Sequence, residues 1–134
     1  MKRLSWSFAI LVCLVLVGCI SPSRKDAYQT AVYQYSAAIR WEGLLAGAPY
    51  TDPMVLAEAP LTGVEISRYQ QFRVSGYSLL AEAEDAQGHR IREVQIGLIN
   101  LNTLAERVIR HREEWRWDPT SERWLLMSLP PSLD

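Results

Sequence analysis

The sequence predicts an α+β domain in which helices come first and a bent antiparallel sheet follows. Two hydrophobic patterns carry this prediction. Between residues 24 and 45 apolar side chains recur at helical spacing, whereas beyond Val64 they alternate with a period of two, which is typical of strands. Turn-forming residues divide the alternating region into about four strands. Helices followed by consecutive strands favour an α+β fold.

The first helix is predicted from Arg24 to Leu45. Its apolar stripe has the spacing of one helix face and consists of Tyr28, Ala31, Val32, Tyr35, Ala38 and Ile39. Tyr33 lies off this stripe, so we expect it at the surface. Trp41, beside Arg40, either packs under the sheet or forms an exposed stacking platform, and packing is the favoured alternative.

A short second helix is predicted from Asp52 to Glu58. Asp52 has the character of an N-cap, and Pro53 occupies the first helical position, where its missing N–H costs nothing. Pro60 and Gly63 then end this segment. The sequence gives room for only two clear helices before the sheet.

The first strand changes parity near its middle. Phe72 and Val74 alternate on even positions, but the apolar residues that follow are odd: Tyr77, Leu79, Ala81 and Ala83. A strand changes parity when an extra residue is inserted, so we interpret Ser75-Gly76 as a β-bulge that keeps both sets on one face. A turn at residues 85–88 follows.

Three further strands are predicted at residues 89–101, 104–117 and 124–129. Pairing Asn100 with Thr103 brings opposite charges or compatible groups together: Val94 with Ile109, Glu93 with Arg110, Arg90 with Glu113, and Arg92 with His111. The last hairpin pairs Trp117 with Trp124 and Trp115 with Leu126. Such cross-strand pairs stabilise a sheet. We expect its Trp-rich face to lie under the first helix.

The first 18 residues have the architecture of a secretory signal peptide. Lys2 and Arg3 supply a positive start, an apolar run follows, and Gly18 is the small residue at the end. The apolar run is shorter than the ~20 residues that a membrane-spanning helix needs. We therefore expect residues 1–18 to be removed, residues 19–23 to form a tether, and residues 24–134 to form a single domain.

The segment Leu16-Val17-Gly18-Cys19 resembles the lipobox of bacterial lipoproteins. The resemblance implies cleavage between Gly18 and Cys19, a diacylglyceryl group on the Cys19 sulfur, and acylation of the new amino terminus. Since Cys13 leaves with the signal peptide, no disulfide within the mature chain is expected. Several acyl chains anchor a protein stably, so the membrane is the expected partner. Ile20, where an Asp would favour retention in the inner membrane, favours the periplasmic side of the outer membrane.

The order of elements over roughly residues 24–129 resembles the nuclear transport factor 2-like (cystatin-like) superfamily. The bulged first strand and the Trp-rich segments at 114–117 and 123–126 carry this likeness. The latter are also similar to a pattern of small uncharacterised proteobacterial lipoproteins. The resemblance implies a sheet wrapped into a cone with a pocket at its open end. Many members have a third helix before the sheet, in which this chain is expected to differ.

Charge and motifs exclude several functions. Without Lys2 and Arg3 the chain keeps 12 of its 14 basic residues against 15 acidic ones, which does not suit binding to nucleic acid. The sequence has no Gly-rich phosphate loop, no nucleophile elbow and no Cys/His cluster with metal-binding spacing. No cofactor and no metal is therefore expected.

Four residues are candidates for a pocket at the cone mouth: Arg92, His111, Glu113 and Trp115. In one interpretation the arginine holds a ligand carboxylate while His111 and Glu113 exchange a proton. The favoured alternative is a solvated ladder of alternating charges. Enzymes of the superfamily use a buried carboxylate base, whereas all five aspartates here fall in the tether region, caps, turns or terminus.

Taken together, these features predict a non-catalytic lipoprotein of the outer membrane that binds a ligand or an envelope partner. Two alternatives remain open. One is a small enzyme of the isomerase or dehydratase kind with its site in the cone, and the other is a structural subunit of an envelope assembly.

Overall fold

The computed structural model describes residues 22–134. In this part of the chain, helix α1 (Arg24–Glu42), a 3-10 helix (Leu44–Tyr50), α2 (Pro53–Glu58) and α3 (Gly63–Tyr69) precede the sheet. The signal peptide at residues 1–18, the cleavage site at Gly18 and the lipidated Cys19 lie outside the described residues, and those expectations stay predictions.

One antiparallel sheet follows the helices. Its strands are β1 (Phe72–Glu84), β2 (Arg90–Asn100), β3 (Glu106–Asp118) and β4 (Arg123–Leu126), and they lie side by side in chain order. The predicted α+β architecture is therefore confirmed. None of the helices within residues 22–134 combines the length and apolarity needed to cross a bilayer.

Helix α1 begins and ends where its sequence allows. The Ser23 hydroxyl accepts a hydrogen bond from the Asp26 backbone N–H at 3.1 Å, which caps the first turn. Gly43, with φ of 105°, ends the helix in a conformation that other residues rarely adopt. The predicted stripe is buried at Tyr28, Val32, Tyr35 and Ile39.

The two aromatic residues off this stripe are both exposed. Tyr33 is 74% exposed, as predicted, and Trp41 is 81% exposed. The favoured packing of Trp41 under the sheet is therefore wrong. Trp41 lies two positions after the buried Ile39, which turns it about 200° away from the stripe.

A third helix is present where none was predicted. Thr62 and Glu65 form a capping box: the Glu65 N–H donates to the Thr62 hydroxyl at 3.3 Å, and the Thr62 N–H donates to the Glu65 carboxylate at 2.7 Å. This reciprocal cap starts α3 at Gly63. The second helix, by contrast, is confirmed, with the Asp52 carboxylate accepting from the Met54 N–H at 2.8 Å.

Strand β1 contains two bulges. The register shifts between Val74 and Gly76, as predicted, and shifts again between Leu79 and Ala81, which was not predicted. After the second shift Glu82 lies opposite the buried Arg92. Because neighbouring residues alternate between faces, Ala81 and Ala83 lie on the other face, and their predicted place on the core face is wrong.

The predicted register of β2 and β3 is wrong by two residues. The observed pairs include Val94 with His111, Glu93 with Arg112, Arg92 with Glu113, and Arg90 with Trp115. The turn is longer than predicted, since the Asn100 N–H donates to the Ala105 carbonyl at 2.9 Å and Leu104 has a positive φ of 59°. An even shift keeps every side chain on its predicted face.

The core lies between α1 and one face of the sheet. The Trp115 ring is fully buried and meets the Tyr35 ring edge to face, with centroids 5.3 Å apart. The Trp124 ring meets Tyr28 at 5.1 Å, and its Nε1 donates to the Arg24 carbonyl at 2.8 Å. The predicted pairs Trp117–Trp124 and Trp115–Leu126 are present, and the helix covers this face as expected.

Candidate functional site

A buried ion pair joins β2 and β3 on the helix-covered face. The Arg92 guanidinium donates to the Glu113 carboxylate at 2.8 Å, and the two side chains are 8% and 0% exposed. Their residues lie directly opposite each other in the register. Two charges thus face each other across adjacent strands with almost no access to water.

Two aromatic side chains complete the hydrogen bonding of Glu113. The Tyr77 hydroxyl of β1 donates to one carboxylate oxygen, and Trp115 Nε1 donates to the other at 3.2 Å. The same tyrosine oxygen accepts from Arg92 at 3.3 Å. We call Tyr77, Arg92, Glu113 and Trp115 the core polar network, because it joins three strands beneath Tyr35 of α1.

Burial and hydrogen bonding act in opposite directions on these groups. Burial raises the pKa of Glu113, although the hydrogen bond from Tyr77 and the charge of Arg92 partly oppose it. Burial also raises the pKa of Tyr77, and the Glu113 charge adds to that rise. Burial alone would lower the pKa of Arg92, but Tyr77 and Glu113 outweigh it and raise the pKa. The arginine therefore stays charged.

His111 lies beside this network on β3 but does not join it. It faces Val94 rather than the predicted Arg92, and its enclosed Nε2 has no hydrogen-bond partner among residues 22–134. Burial lowers the pKa of His111 to about 4. The ring is therefore neutral at pH 7.

The favoured interpretation of a solvated charge ladder is wrong for Arg92 and Glu113. The charge pattern indicated that these two strands pair, but it gave the wrong register and did not reveal which residues are covered. Burial places Arg92, Glu113 and Trp115 in the core under α1, at 6%, 0% and 0% exposure. Membership of these residues in a ligand pocket stays a prediction.

A second polar cluster lies at the turn between β1 and β2. His89 Nδ1 is 3.3 Å from an Asp85 carboxylate oxygen and 3.1 Å from a Glu114 carboxylate oxygen. His89 is not among the residues that the sequence singles out, because only the strand pairing brings Glu114 of β3 to this turn. The spacing of Asp85 and His89, four residues apart around a turn, was the available signal.

A third feature is an exposed aromatic surface at the C-terminal end of α1. Arg40 and Trp41 border a depression of about 570 Å³ whose other walls come from β1 and β2: Arg73, Val74, Ser75 and Ile99. We call Arg40, Trp41, Arg73 and Ile99 the Trp41 surface.

Compared with known protein families, curated proteins and solved structures, the chain shows no match. Its function is therefore inferred from its own residues and their geometry.

The core polar network yields a prediction about stability. Glu113→Leu leaves the Arg92 guanidinium buried without a counter-charge and should lower the free energy of unfolding by about 3–5 kcal/mol. Adding Arg92→Met removes the stranded charge and should recover at least half of the loss. Urea unfolding of residues 22–134, monitored by tryptophan fluorescence, measures both values.

The exposed pair of Arg68 with Asp134 is the matched control, because its side chains are 50% and 82% accessible. Asp134→Ala should cost less than about 1 kcal/mol. A double variant no more stable than Glu113→Leu alone would contradict the role given to the buried pair.

A second prediction concerns pH. The pKa of His111 is about 4 in the folded chain, against about 6.5 when unfolded. The unfolded chain therefore takes up the proton first, so this residue destabilises the fold as the pH falls from about 6.5 to about 4, by a total on the order of 3 kcal/mol. His111→Phe should remove that part of the pH dependence.

Urea unfolding at several pH values between 7 and 4.5 measures the effect. Glu65, Glu82, Asp118 and Glu113, whose pKa values are also shifted, are common to both proteins and cancel in the comparison. Equal slopes for the two proteins would show that the His111 ring takes up its proton without unfolding.

Proposed function

We propose that this protein is a non-catalytic lipoprotein of the outer membrane, facing the periplasm, that binds an acidic envelope protein through the Trp41 surface. The lipobox ending at Cys19 supports the anchor, and the exposed Trp41 between two arginines is the observation that carries the binding role. Nucleic acid is not a proposed partner. We retain the likeness to the nuclear transport factor 2-like superfamily as a proposal. In that proposal α3 corresponds to the third helix that many members have before the sheet.

The short tether relates the anchor to the binding surface. Arg24, the first residue of α1, lies five residues after Cys19, so the helix start is at most about 18 Å from the lipid. The helix has 19 residues and is therefore about 28 Å long. Trp41 lies near its other end and is 81% exposed.

The chemistry of the Trp41 surface suits a protein partner. Tryptophan and arginine are the residues most enriched among those that dominate binding energies at protein interfaces. Neither Arg40 nor Arg73 forms an ion pair within the described chain. A partner that presents carboxylates beside apolar side chains would therefore satisfy both arginines and cover the tryptophan.

The core polar network favours binding over catalysis. A general base needs a free lone pair within hydrogen-bond reach of its substrate. Glu113 is fully buried and accepts hydrogen bonds from three side chains, so a substrate would have to displace core residues to reach it. This is the physical reason for ranking the isomerase- or dehydratase-like alternative lower. The structural-subunit alternative differs from our proposal only in the permanence of the partner.

The anchor is tested by substituting the two cysteines separately. Cys19→Ser should accumulate as an uncut, unacylated precursor, since the thiol is the only group that can accept the lipid. Cys13→Ser is the matched control and should be processed normally, because Cys13 lies inside the segment that is removed. Metabolic labelling with an alkyne-tagged palmitate and gel mobility measure both. Normal labelling of Cys19→Ser would eliminate the anchor.

The binding role is tested by comparing two exposed aromatic residues of α1. Trp41→Ala should reduce recovery of a cross-linked envelope protein from detergent-solubilised membranes about tenfold or more, as expected for a dominant interface residue. Tyr33→Ala is the control, since Tyr33 is 74% exposed but lies outside the Trp41 surface. Equal recovery with both variants would refute the Trp41 surface as the binding site.

A further inference from the structure

The cluster at the β1–β2 turn has the composition of a metal site. It contains one imidazole and two carboxylates, from Asp85, His89 and Glu114, and its ligand atoms all lie within 4.8 Å of one another. Asp85 precedes the turn, His89 ends it, and Glu114 comes from the neighbouring strand β3. Two segments of chain, the β1–β2 turn and β3, thus converge on one point, which sequence spacing alone does not show.

The two distances from His89 Nδ1 fit a bound transition metal. Zinc lies about 2.0–2.2 Å from nitrogen and oxygen ligands. Ligand atoms 3.1 and 3.3 Å apart, as His89 Nδ1 is from Glu114 and Asp85, then subtend about 95–105° at the metal. These angles lie between octahedral and tetrahedral values. The Glu114 side chain is 39% exposed, so it can rotate to bring its oxygen to bonding distance.

The charges of the cluster also favour a cation. Three other acidic side chains that are buried or partly buried pair with arginine: Asp52 with Arg116, Glu82 with Arg90, and Glu113 with Arg92. Asp85 and Glu114 have no arginine or lysine within 4.0 Å in the described chain. Their shared neighbour is His89 Nδ1, which carries at most one proton for two carboxylates.

Asp85 and Glu114 are held in place by hydrogen bonds that are separate from their contacts with His89. The second Asp85 oxygen accepts the backbone N–H groups of Gln87 and His89, both at 2.9 Å. Glu114 is fixed at its backbone, where its N–H donates to the Ser128 hydroxyl at 2.9 Å and its carbonyl accepts from the Met127 N–H at 2.7 Å. Such supporting contacts orient ligands before the metal binds.

We propose that Asp85, His89 and Glu114 bind a divalent transition metal, with Zn²⁺ as the best match. An imidazole nitrogen with two carboxylate oxygens suits zinc and its neighbours better than Ca²⁺ or Mg²⁺, which prefer oxygen ligands alone. The side chains are 27%, 27% and 39% exposed, so water completes the coordination. Binding joins the β1–β2 turn to β3.

The test is metal titration of the full-length chain, purified in detergent without a histidine tag and stripped with chelator. Isothermal titration with Zn²⁺ should show one ion per chain, and Zn²⁺ should raise the melting temperature, as a ligand of the folded state does. His89→Gln and Asp85→Asn should each weaken binding about tenfold or more. Co²⁺ should give visible absorption bands that disappear in His89→Gln.

Two matched controls keep the test specific. His111→Phe removes the only other histidine of the chain, and Glu106→Gln removes an exposed carboxylate elsewhere on β3; both should bind Zn²⁺ as the unmodified chain does. Circular dichroism checks that each variant is folded. The site would be overturned if no stoichiometric binding is seen with Zn²⁺ in 100-fold excess over the protein and no chelator present. It would also be overturned if a folded His89→Gln variant binds Zn²⁺ unchanged. In either case the cluster is a hydrogen-bonded turn only.

Discussion

The register of the central strands depends on one buried interaction, the ion pair of Arg92 with Glu113. Moving two charges out of water costs several kcal/mol per ion, which only good geometry and further hydrogen bonds offset. Tyr77 and Trp115 supply those bonds from β1 and β3. Compared with a well-packed apolar core, the pair adds little net stability. A two-residue shift of the strands would, however, leave Arg92 buried without its counter-charge. The main effect of the pair is therefore to define one alignment.

The comparison with the expected register shows how this selection works. In the expected pairing, two residues out of step, Arg90 would meet Glu113, but Arg92 would meet the neutral His111 and lose its counter-charge. The buried pair of Arg92 with Glu113 therefore favours the observed alignment. The observed turn favours it as well, because the Asn100 side chain caps the turn, accepting from the N–H groups of Asn102 and Thr103 at 2.9 and 3.0 Å. Burial then distinguishes Arg92, which is covered, from the half-buried Arg90.

Local structure was predicted correctly from the sequence where a residue type has a single physical role. The stripe of α1, the Asp52 cap and the first bulge at Gly76 belong to this group. Helix α3 was not predicted. Gly63 was interpreted as a helix end and the alternation after Val64 as a strand, although the Thr62–Glu65 capping box is visible in the sequence. The second bulge was not predicted because it contains no glycine that would indicate it in the sequence. For the candidate site, Arg92, Glu113 and Trp115 were singled out in the sequence, but Tyr77 was not, and His111 does not join the network. The burial of Arg92 and the convergence of Glu114 on His89 depend on pairing between distant segments.

The two bulges of β1 have a consequence for the molecule in a crowded compartment. Within residues 22–134 the sheet order is β1-β2-β3-β4, so the outer side of the 13-residue β1 pairs with no strand of that part of the chain, and Leu79 and Leu80 on β1 are each 47% exposed. A long regular edge of this kind invites another strand to add to it, which begins aggregation. The bulges interrupt the row of backbone donors and acceptors along this edge. The irregularity of β1 thus disfavours the addition of a second strand.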